Sequence, residues 1–266
     1  MADWDPELYN RFRRYRAEPF AAIMARLEFG GAERIIDLGC GSGENTAELG
    51  RRCAGGAAVG LDSSPAMIDR ACKLREALEP ALRGRLRFVL GDIREFSARR
   101  EYSMVLSNAA FQWLTGHREV FARCFQALAP GGRLVVQMPA NDHETALTTI
   151  DALAHEQPWR ARLASIRLPS STVAAPAGYL RMLGEIGFAG VDCYYHTFHH
   201  PMGAPAEIAA WCRATALRPY LDPLDAVARE SFVAALTARL EQAYGTRGPL
   251  TFNFRRLFIW ARRPAP

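Results

Sequence analysis

The chain has 266 residues, of which 49% are hydrophobic and 23% are charged. This length and composition can supply a large globular core, and they exclude collagen-like, low-complexity and disordered proteins. The formal charge is +5, and 32 of the 33 cationic side chains are arginines, with Lys73 the single lysine. Because these arginines are scattered and form no long run, the charge predicts neither a nucleic-acid partner nor a membrane partner.

The N-terminal residues and the cysteines bear on localisation. Asp3, Asp5 and Glu7 stand where a signal peptide would carry cations, and no stretch approaches the ~20 apolar residues of a membrane span. The six cysteines show no Cys-x-x-Cys pair and no regular spacing, which favours reduced thiols. We therefore expect a cytoplasmic protein; the sequence predicts no particular oligomeric state.

The first half of the chain alternates between short aliphatic runs and stretches with helical spacing, which predicts successive βα units and a parallel sheet. Ser63-Ser64-Pro65 is typical of a helix start, and Pro130-Gly131-Gly132 predicts a stop before the next strand. The predicted strands cover 34–38, 57–61, 86–90, 102–107 and 133–138, and the predicted helices cover 45–53, 65–78 and 117–128.

The second half is predicted to be mostly helical. Helical material over 140–190 is interrupted by a loop at 169–176 and is followed by a strand at 191–198, helices at 205–217 and 224–244, and a last strand at 251–261. Since no linker or repeat is evident, we expect one α/β domain over 1–266. Its parts are an N-terminal helical lid (1–30), a cofactor-binding half (31–139), a helical cap and substrate region (140–250) and a last strand (251–262).

A glycine-rich loop follows the first predicted strand. Gly39 and Gly41 fit the opening of a dinucleotide fingerprint, but Glu44 stands where its third glycine belongs. A carboxylate at a helix N-terminus repels a pyrophosphate, so the loop favours a ligand without phosphates. A nicotinamide-dependent oxidoreductase is the alternative from another reaction class, and Glu44 disfavours it.

Acidic and polar residues end the next three strands. Asp62 stands where a carboxylate accepts both ribose hydroxyls. Asp92 can accept an exocyclic adenine amine while Ile93 covers the ring, and Asn108-Ala109 end the fourth strand. Because open α/β sheets bind ligands at the carboxyl ends of their strands, these residues predict a nucleoside site.

This pattern resembles the class I methyltransferases, which use S-adenosylmethionine. The matching elements, in chain order, are Gly39, Gly41 and Gly43, then Asp62, Asp92 and the segment Leu128-Ala129-Pro130-Gly131-Gly132. The resemblance implies a Rossmann-like sheet that is mostly parallel, with an antiparallel last strand and a helical cap. It also implies S-adenosyl-L-methionine as the cofactor and S-adenosyl-L-homocysteine as its product.

Further segments along the whole chain resemble the trans-aconitate methyltransferases. They are Asp3-Trp4 with Pro6 and Tyr9, Asp62 to Met67, Asn108-Ala109 with Gln112-Trp113, Val136 to Pro139, Leu217-Arg218-Pro219 and Arg256-Leu257-Phe258. The resemblance implies that Arg16 neutralises the methionine carboxylate of the cofactor and that Tyr9 belongs to the lid. The cofactor residues that it implies are Tyr9, Arg16, Asp37, Gly39, Cys40, Gly41, Asp62, Ser63, Met67, Asp92, Ile93, Asn108 and Ala109.

The implied acceptor is a small carboxylic acid. A carboxylate has a reference pKa of about 4, so at neutral pH it is ionised and needs no general base. Because arginine matches carboxylate geometry, we expect Arg218 and Arg256 to bind the acceptor, with Gln112 also in contact and with Trp113 and His200 shaping the pocket. No metal is expected, since His199 and His200 are adjacent and point to opposite faces of a strand.

Besides differences in the glycine loop (Ser42, Glu44 and Asn45) and a longer connection over 73–85, three residues depart from the family pattern. Tyr15 stands where the family has an acid, Glu18 where it has a second arginine and Phe198 where it has a tyrosine. These differences leave a second acceptor class open, namely a malonyl thioester on a carrier protein or a secondary metabolite.

Overall fold

The computed structural model describes residues 12–246 and 249–265, and this part of the chain contains seven strands. The strands are β1 (Arg34–Leu38), β2 (Ala57–Asp62), β3 (Leu86–Leu90), β4 (Tyr102–Asn108), β5 (Leu128–Pro139), β6 (Ala189–Met202) and β7 (Leu250–Arg262).

Helices separate the strands. The described α-helices are α1 (Arg13–Arg26), α2 (Glu44–Arg52), α3 (Pro65–Glu76), α4 (Pro80–Arg83), α5 (His117–Ala127), α6 (Thr145–Ala154), α7 (Arg160–Leu163), α8 (Pro176–Ile186), α9 (Pro205–Arg213), α10 (Arg218–Leu221) and α11 (Ala226–Tyr244). Two short 3-10 helices cover Phe111–Trp113 and Pro169–Thr172.

The strands form one sheet in the order β3-β2-β1-β4-β5-β7-β6. The pairs from β3 to β5 are parallel. On β5 and β7, Gly131 N–H donates to the Arg263 carbonyl oxygen, whereas Ala140 N–H donates to the Arg255 carbonyl oxygen, each over 3.0 Å. Residue numbers thus rise on one strand as they fall on the other, so the last strand is antiparallel. The predicted α/β class with an antiparallel last strand is confirmed.

The central strands are apolar because the sheet is covered on both sides. Ile35, Ile36 and Leu38 of β1 and Val105 and Leu106 of β4 are all buried. Continuous aliphatic runs are the expected pattern of parallel strands with two buried faces. Because these residues are buried, the positions at which β1 and β4 end are fixed. The positions of the loops that follow them are therefore fixed as well.

The predicted stop at Pro130-Gly131-Gly132 is wrong, because β5 already begins at Leu128. The Gly131 N–H and the Gly132 carbonyl oxygen both bond to Arg263, over 3.0 and 2.8 Å. These long-range hydrogen bonds extend the strand through a turn-like sequence. The long connection before β3 also contains a helix, α4, which was not predicted.

The described residues divide into two compact units. The sheet unit comprises 19–138, 172–195 and 257–265, and the helix-rich unit comprises 12–18, 139–171, 196–246 and 249–256. The helix-rich unit has an aromatic and aliphatic core around Trp211, Tyr220, Phe232 and Phe252. The single domain over 1–266, with its internal boundaries, stays a prediction.

All six cysteines are free thiols. Within 12–246 and 249–265, none of the helices is long and apolar enough to cross a membrane.

We predict that Phe232→Ala strongly destabilises the helix-rich unit. Phe232 is fully buried, meets Trp159 edge-on with ring centroids 5.2 Å apart and stacks with Tyr220 at 6.5 Å. The cavity should lower the free energy of unfolding by about 3–5 kcal/mol. Val227→Ala on the same helix is the control, because Val227 is 81% exposed and its loss should cost under about 0.5 kcal/mol. Equal losses in urea denaturation would contradict this account of the core.

Candidate active site

The backbone conformation of the loop after β1 depends on two glycines. Gly39 and Gly41 have φ angles of +80° and +54°, a region that other residues rarely adopt. A Cβ on Gly39 would lie 2.2 Å from the Ala110 Cβ, so only glycine fits there. A Cβ on Gly41 would meet no atom within 4 Å. Gly39 therefore sets the backbone path, and Gly41 borders open space in which a ligand can lie.

Asp62, at the end of β2, holds three loops together. Its carboxylate accepts the Gly41 N–H and the Ser64 N–H, each over 2.9 Å. Its carbonyl oxygen accepts the Gly91 N–H over 2.9 Å. Each carboxylate oxygen keeps a lone pair after these bonds. Asp62 is thus oriented by the backbone and can still accept two hydroxyl groups, and its role as a ribose ligand stays a prediction.

Asp37 lies below the glycine loop in β1 and is buried. Its Oδ2 accepts a hydrogen bond from the Thr46 hydroxyl over 2.6 Å. Burial raises the pKa of Asp37 to about 7, which the hydrogen bond from Thr46 partly opposes and the nearby negative charge of Asp62 reinforces. A positive charge near Asp37 would stabilise its ionised form, so this acid suits a cationic ligand.

The end of β3 carries a paired carboxylate. Asp92 forms a two-pronged ion pair with Arg94, whose Nε lies 3.0 Å from both carboxylate oxygens. The hydrogen bonds from Arg94 hold the pKa of Asp92 below its usual range. Ile93 is buried and comes within 3.5 Å of the position that a Cβ on Gly39 would take. Ile93 thus borders the glycine loop, while the Asp92 carboxylate is shared with an exposed arginine.

The end of β4 offers unsatisfied oxygen atoms. Ala109 has a φ of 59°, a strained value for a residue other than glycine. Gln112 donates its amide N–H to the Ala109 carbonyl oxygen over 2.7 Å. The Asn108 Oδ1 and Gln112 Oε1 atoms are buried without a hydrogen bond to any described residue. Since buried acceptors are normally satisfied, these two point to a ligand that donates hydrogen bonds. Trp113, next in the chain, is 54% exposed.

Sequence analysis missed a buried pair that supports this turn. The His117 Nε2 lies 2.9 Å from the Phe111 carbonyl oxygen, which can only accept, so Nε2 carries the proton. The Nδ1 atom then accepts from the Tyr179 hydroxyl over 2.7 Å, and burial lowers the pKa of His117. His117 and Tyr179 fix the 3-10 helix that bears Gln112 and Trp113. Nothing in the sequence links two residues so far apart.

Three further predicted cofactor residues lie along the same loops. The Cys40 side chain is buried against Phe88 and Ala71, and burial raises the pKa of its thiol, so it stays protonated. Ser63 is exposed, and Met67 is half-buried in the first turn of α3. Tyr9 lies outside the described residues.

His200 is the centre of an aromatic box in the helix-rich unit. Its ring is fully buried, with centroids 4.5 Å from Tyr15, 5.3 Å from Trp211 and 6.2 Å from Phe254. Neither ring nitrogen makes a hydrogen bond to a described residue. Burial, with the charge of Arg256, lowers the pKa of His200 to about 4, so the ring is neutral at pH 7. His199, in contrast, is exposed and bonds to Asn253 over 2.8 Å.

Two arginines lie beside the aromatic rings of this box. Arg256 is buried with its guanidinium 4.5 Å from the Phe254 ring, and the Arg16 guanidinium lies 5.2 Å from the Trp211 ring. Burial lowers the pKa of Arg256 to about 9; the positive charge of Arg16 adds to the shift, and the negative charge of Glu18 opposes it. Because this pKa still lies above neutral pH, the buried Arg256 guanidinium carries its positive charge. That charge favours an anion beside it.

Glu18 is the acid of this cluster. Its Oε2 lies 3.5 Å from the His200 Nδ1, and its side chain is 34% exposed. Burial raises the pKa of Glu18, while the charges of Arg14 and Arg256 oppose the shift. We call Arg16, Glu18, His200 and Arg256 the charge cluster. Arg218, predicted to act with Arg256, is exposed at the start of α10, and its role stays a prediction.

Comparison with known proteins agrees with this geometry. The methyltransferase domain family matches residues 35–132, which span the glycine loop and the ends of β2, β3 and β4. Among solved structures, the S-adenosyl-L-methionine complex of Haemonchus contortus phosphoethanolamine N-methyltransferase 2 is 18% identical, with a TM-score of 0.60 over 93% of this chain and 52% of that chain. A putative methyltransferase from Bacillus halodurans is 15% identical, with a TM-score of 0.60 over 93% of this chain and 100% of its own. These two show the fold.

Relatives with higher identity cover the full length. Trans-aconitate 2-methyltransferase of Methylobacterium radiotolerans is 38% identical over 99% of both chains. The enzyme of the same name from Paracidovorax citrulli is 36% identical over 100% of both. That from Streptomyces avermitilis is 36% identical over 100% of this chain and 98% of its own. The chain therefore belongs to the trans-aconitate 2-methyltransferase family of S-adenosylmethionine-dependent methyltransferases.

Proposed function

We propose that this protein transfers a methyl group to a carboxylate of a small polycarboxylic acid such as trans-aconitate. The observation that carries the proposal is the buried Arg256 guanidinium, with Arg16 and the unbonded His200 in the same unit. A guanidinium matches the geometry of a carboxylate, so a buried arginine suits an acidic acceptor. The names of the relatives agree with an acidic acceptor.

The ends of β1 to β4 fit S-adenosylmethionine. Open space at Gly41 admits the ligand, Asp62 suits two ribose hydroxyls, and Asp37 suits a positive charge. The buried Asn108 Oδ1 and Gln112 Oε1 atoms suit N–H donors. Asp92 can accept a hydrogen bond from an adenine amine if its carboxylate binds the amine and Arg94 at the same time. Arg16, Cys40, Ser63, Met67, Ile93, Ala109 and Tyr9 remain proposed cofactor residues.

A bound S-adenosylmethionine would supply a methyl group on a sulfonium to an acceptor carboxylate oxygen, and sulfur would keep the electron pair of the broken carbon–sulfur bond. The protein's own residues bind and orient the reactants. Arg256 holds an acceptor carboxylate, and the rings of Trp211 and Phe254 keep water from it. No residue has to remove a proton, because a carboxylate with a pKa of about 4 is already ionised. Holding reactants in line can contribute roughly 7–11 kcal/mol.

We predict that Gly41→Ala weakens S-adenosylmethionine binding at least tenfold. The added methyl group meets no protein atom, so it obstructs only a ligand that lies against the loop. Isothermal titration calorimetry measures the dissociation constant.

Gly131→Ala is the matched control for this change. Gly131 also has a positive φ and no atom within 4 Å of an added Cβ, but it lies near the start of β5. Both variants should lose a similar ~1–2 kcal/mol of stability from backbone strain. Equal binding by the two variants would contradict the placement of the cofactor at Gly41.

We predict that Arg256→Met raises the KM for trans-aconitate at least tenfold and changes the dissociation constant of the cofactor less than threefold. Methionine keeps the apolar packing and removes the charge and the donors that hold a carboxylate. The KM of Arg256→Lys for trans-aconitate should lie between those of the wild type and Arg256→Met. Arg218→Glu should raise KM by a smaller factor, because the exposed charge of Arg218 is screened by solvent. A parallel loss of acid and cofactor binding would instead indicate misfolding.

The raised pKa of Asp37 predicts a pH dependence of stability. The folded protein keeps the Asp37 proton between about pH 4 and 7, whereas the unfolded chain releases it. The free energy of unfolding therefore falls as pH rises across this window and levels off above it, with a slope of at most about 1.4 kcal/mol per pH unit from this group.

Asp37→Asn is the matched variant, since it is isosteric and does not titrate. Compared with it, the wild type should lose stability between pH 4 and 7 in the absence of cofactor. Its affinity for the cationic cofactor should increase over the same range as the carboxylate ionises. Identical pH profiles of the two proteins in denaturant melts and in calorimetry would contradict the assignment.

A further inference from the structure

The Asp92 carboxylate is saturated with hydrogen bonds from its own loop. Its Oδ1 accepts the Arg94 backbone N–H over 2.8 Å and the Arg94 Nε–H over 3.0 Å. Its Oδ2 accepts the same Nε–H over 3.0 Å and also an N–H of the Arg94 Nη2. A carboxylate has about four lone-pair positions, so these four contacts use its capacity. Asp62 differs, because its carboxylate accepts two N–H groups of described residues.

The same ion pair also presents hydrogen-bond donors at the end of β3. A guanidinium carries five N–H groups. Two of those of Arg94 bond to Asp92, and the others make no hydrogen bond to any described residue. The Arg94 side chain is 64% exposed and that of Asp92 is 25% exposed, so these donors are accessible beside a mostly covered carboxylate. A ligand that reaches this carboxylate therefore meets donors as well as acceptors.

A carboxylate on its own distinguishes strongly between two kinds of purine. The 6-amino group of adenine donates a hydrogen bond to it, whereas the 6-oxo group of hypoxanthine places an oxygen lone pair against a negative charge. Two acceptors that face each other away from water leave both groups unsatisfied, which costs free energy. A carboxylate paired with a guanidinium distinguishes less. The amino group must then share or displace an N–H of the arginine, while the oxo group can accept one of the remaining N–H groups.

We propose that Arg94 is a specificity-determining residue that makes the base site accept 6-oxopurines as well as adenine. This rests on the proposed placement of the adenine of the cofactor at Asp92. Arg94 weakens the bond from a 6-amino group by occupying the Asp92 carboxylate, and it supplies the donor that a 6-oxo group needs. Ile93 presents the same apolar surface to either base, so the difference between the bases depends on Asp92 and Arg94.

The test compares S-adenosylhomocysteine with S-inosylhomocysteine, in which a 6-oxo group replaces the 6-amino group of the base. Isothermal titration calorimetry measures both dissociation constants for the wild type, Arg94→Met, Asp92→Asn and the control Arg75→Met. Arg75 belongs to the same unit and bonds to Glu76 through its Nε and Nη2, so its variant removes a similar ion pair and the same charge near the end of α3. No acceptor is present, so the result does not depend on the proposed carboxyl methylation.

The wild type is expected to bind S-adenosylhomocysteine at most about tenfold more tightly than S-inosylhomocysteine. Arg94→Met should increase this preference a further tenfold or more, mainly by weakening the binding of S-inosylhomocysteine, because the oxo group then faces an unpaired carboxylate. Arg75→Met should keep the wild-type ratio. Retained binding of S-adenosylhomocysteine shows that each variant folds.

Three results would overturn the role of Arg94: an unchanged ratio in Arg94→Met, an equal change in Arg75→Met, or a wild type that already rejects S-inosylhomocysteine a hundredfold. If Asp92→Asn changes the ratio and Arg94→Met does not, adenine lies at Asp92 and only the role of Arg94 fails. If neither variant changes the ratio, the placement of adenine at Asp92 fails together with the proposal.

Discussion

Asp62 is the residue on which the carboxyl edge of the sheet depends. Its carboxylate accepts N–H groups from the loops after β1 and β2, and its carbonyl oxygen accepts one from the loop after β3. Three loops that carry proposed cofactor residues are thereby fixed to one residue. Because the bonds come from backbone groups, they orient the carboxylate without using its full capacity to accept hydrogen bonds. The same residue can thus be a structural tie and a ligand for ribose.

Desolvation of charge is the second constraint, and it acts with opposite sign in the two units. In the sheet unit, burial raises the pKa of the acid Asp37 to about 7; in the helix-rich unit, burial lowers the pKa of the base Arg256 to about 9. The charged form of each group has a higher free energy in the protein than it would have in water. Each would therefore be stabilised by a nearby opposite charge, a cation for Asp37 and an anion for Arg256. A sulfonium cofactor and the proposed carboxylate acceptor have these charges.

The sequence by itself determined the α/β class, the alternation of strands and helices in the first half, and the places of Gly39, Gly41, Asp62 and Asp92 at the ends of strands or in the loops that follow them. These are local features: apolar runs predict buried strands, and residues that directly follow parallel strands must lie at one edge of the sheet. The strand break at Pro130-Gly131-Gly132 was predicted wrongly, because hydrogen bonds from Arg263 override a local turn signal.

Only the tertiary structure decided which side chains meet. It paired Asp92 with Arg94, which local spacing allowed without requiring, and His117 with Tyr179. It also gathered residues 16, 18, 200 and 256 into one charge cluster, although they come from α1, β6 and β7. The pKa of a group depends on its burial and on its charged neighbours, and neither can be read from sequence spacing. The sequence could therefore identify a cofactor loop, but the grouping of these charged side chains follows from the fold.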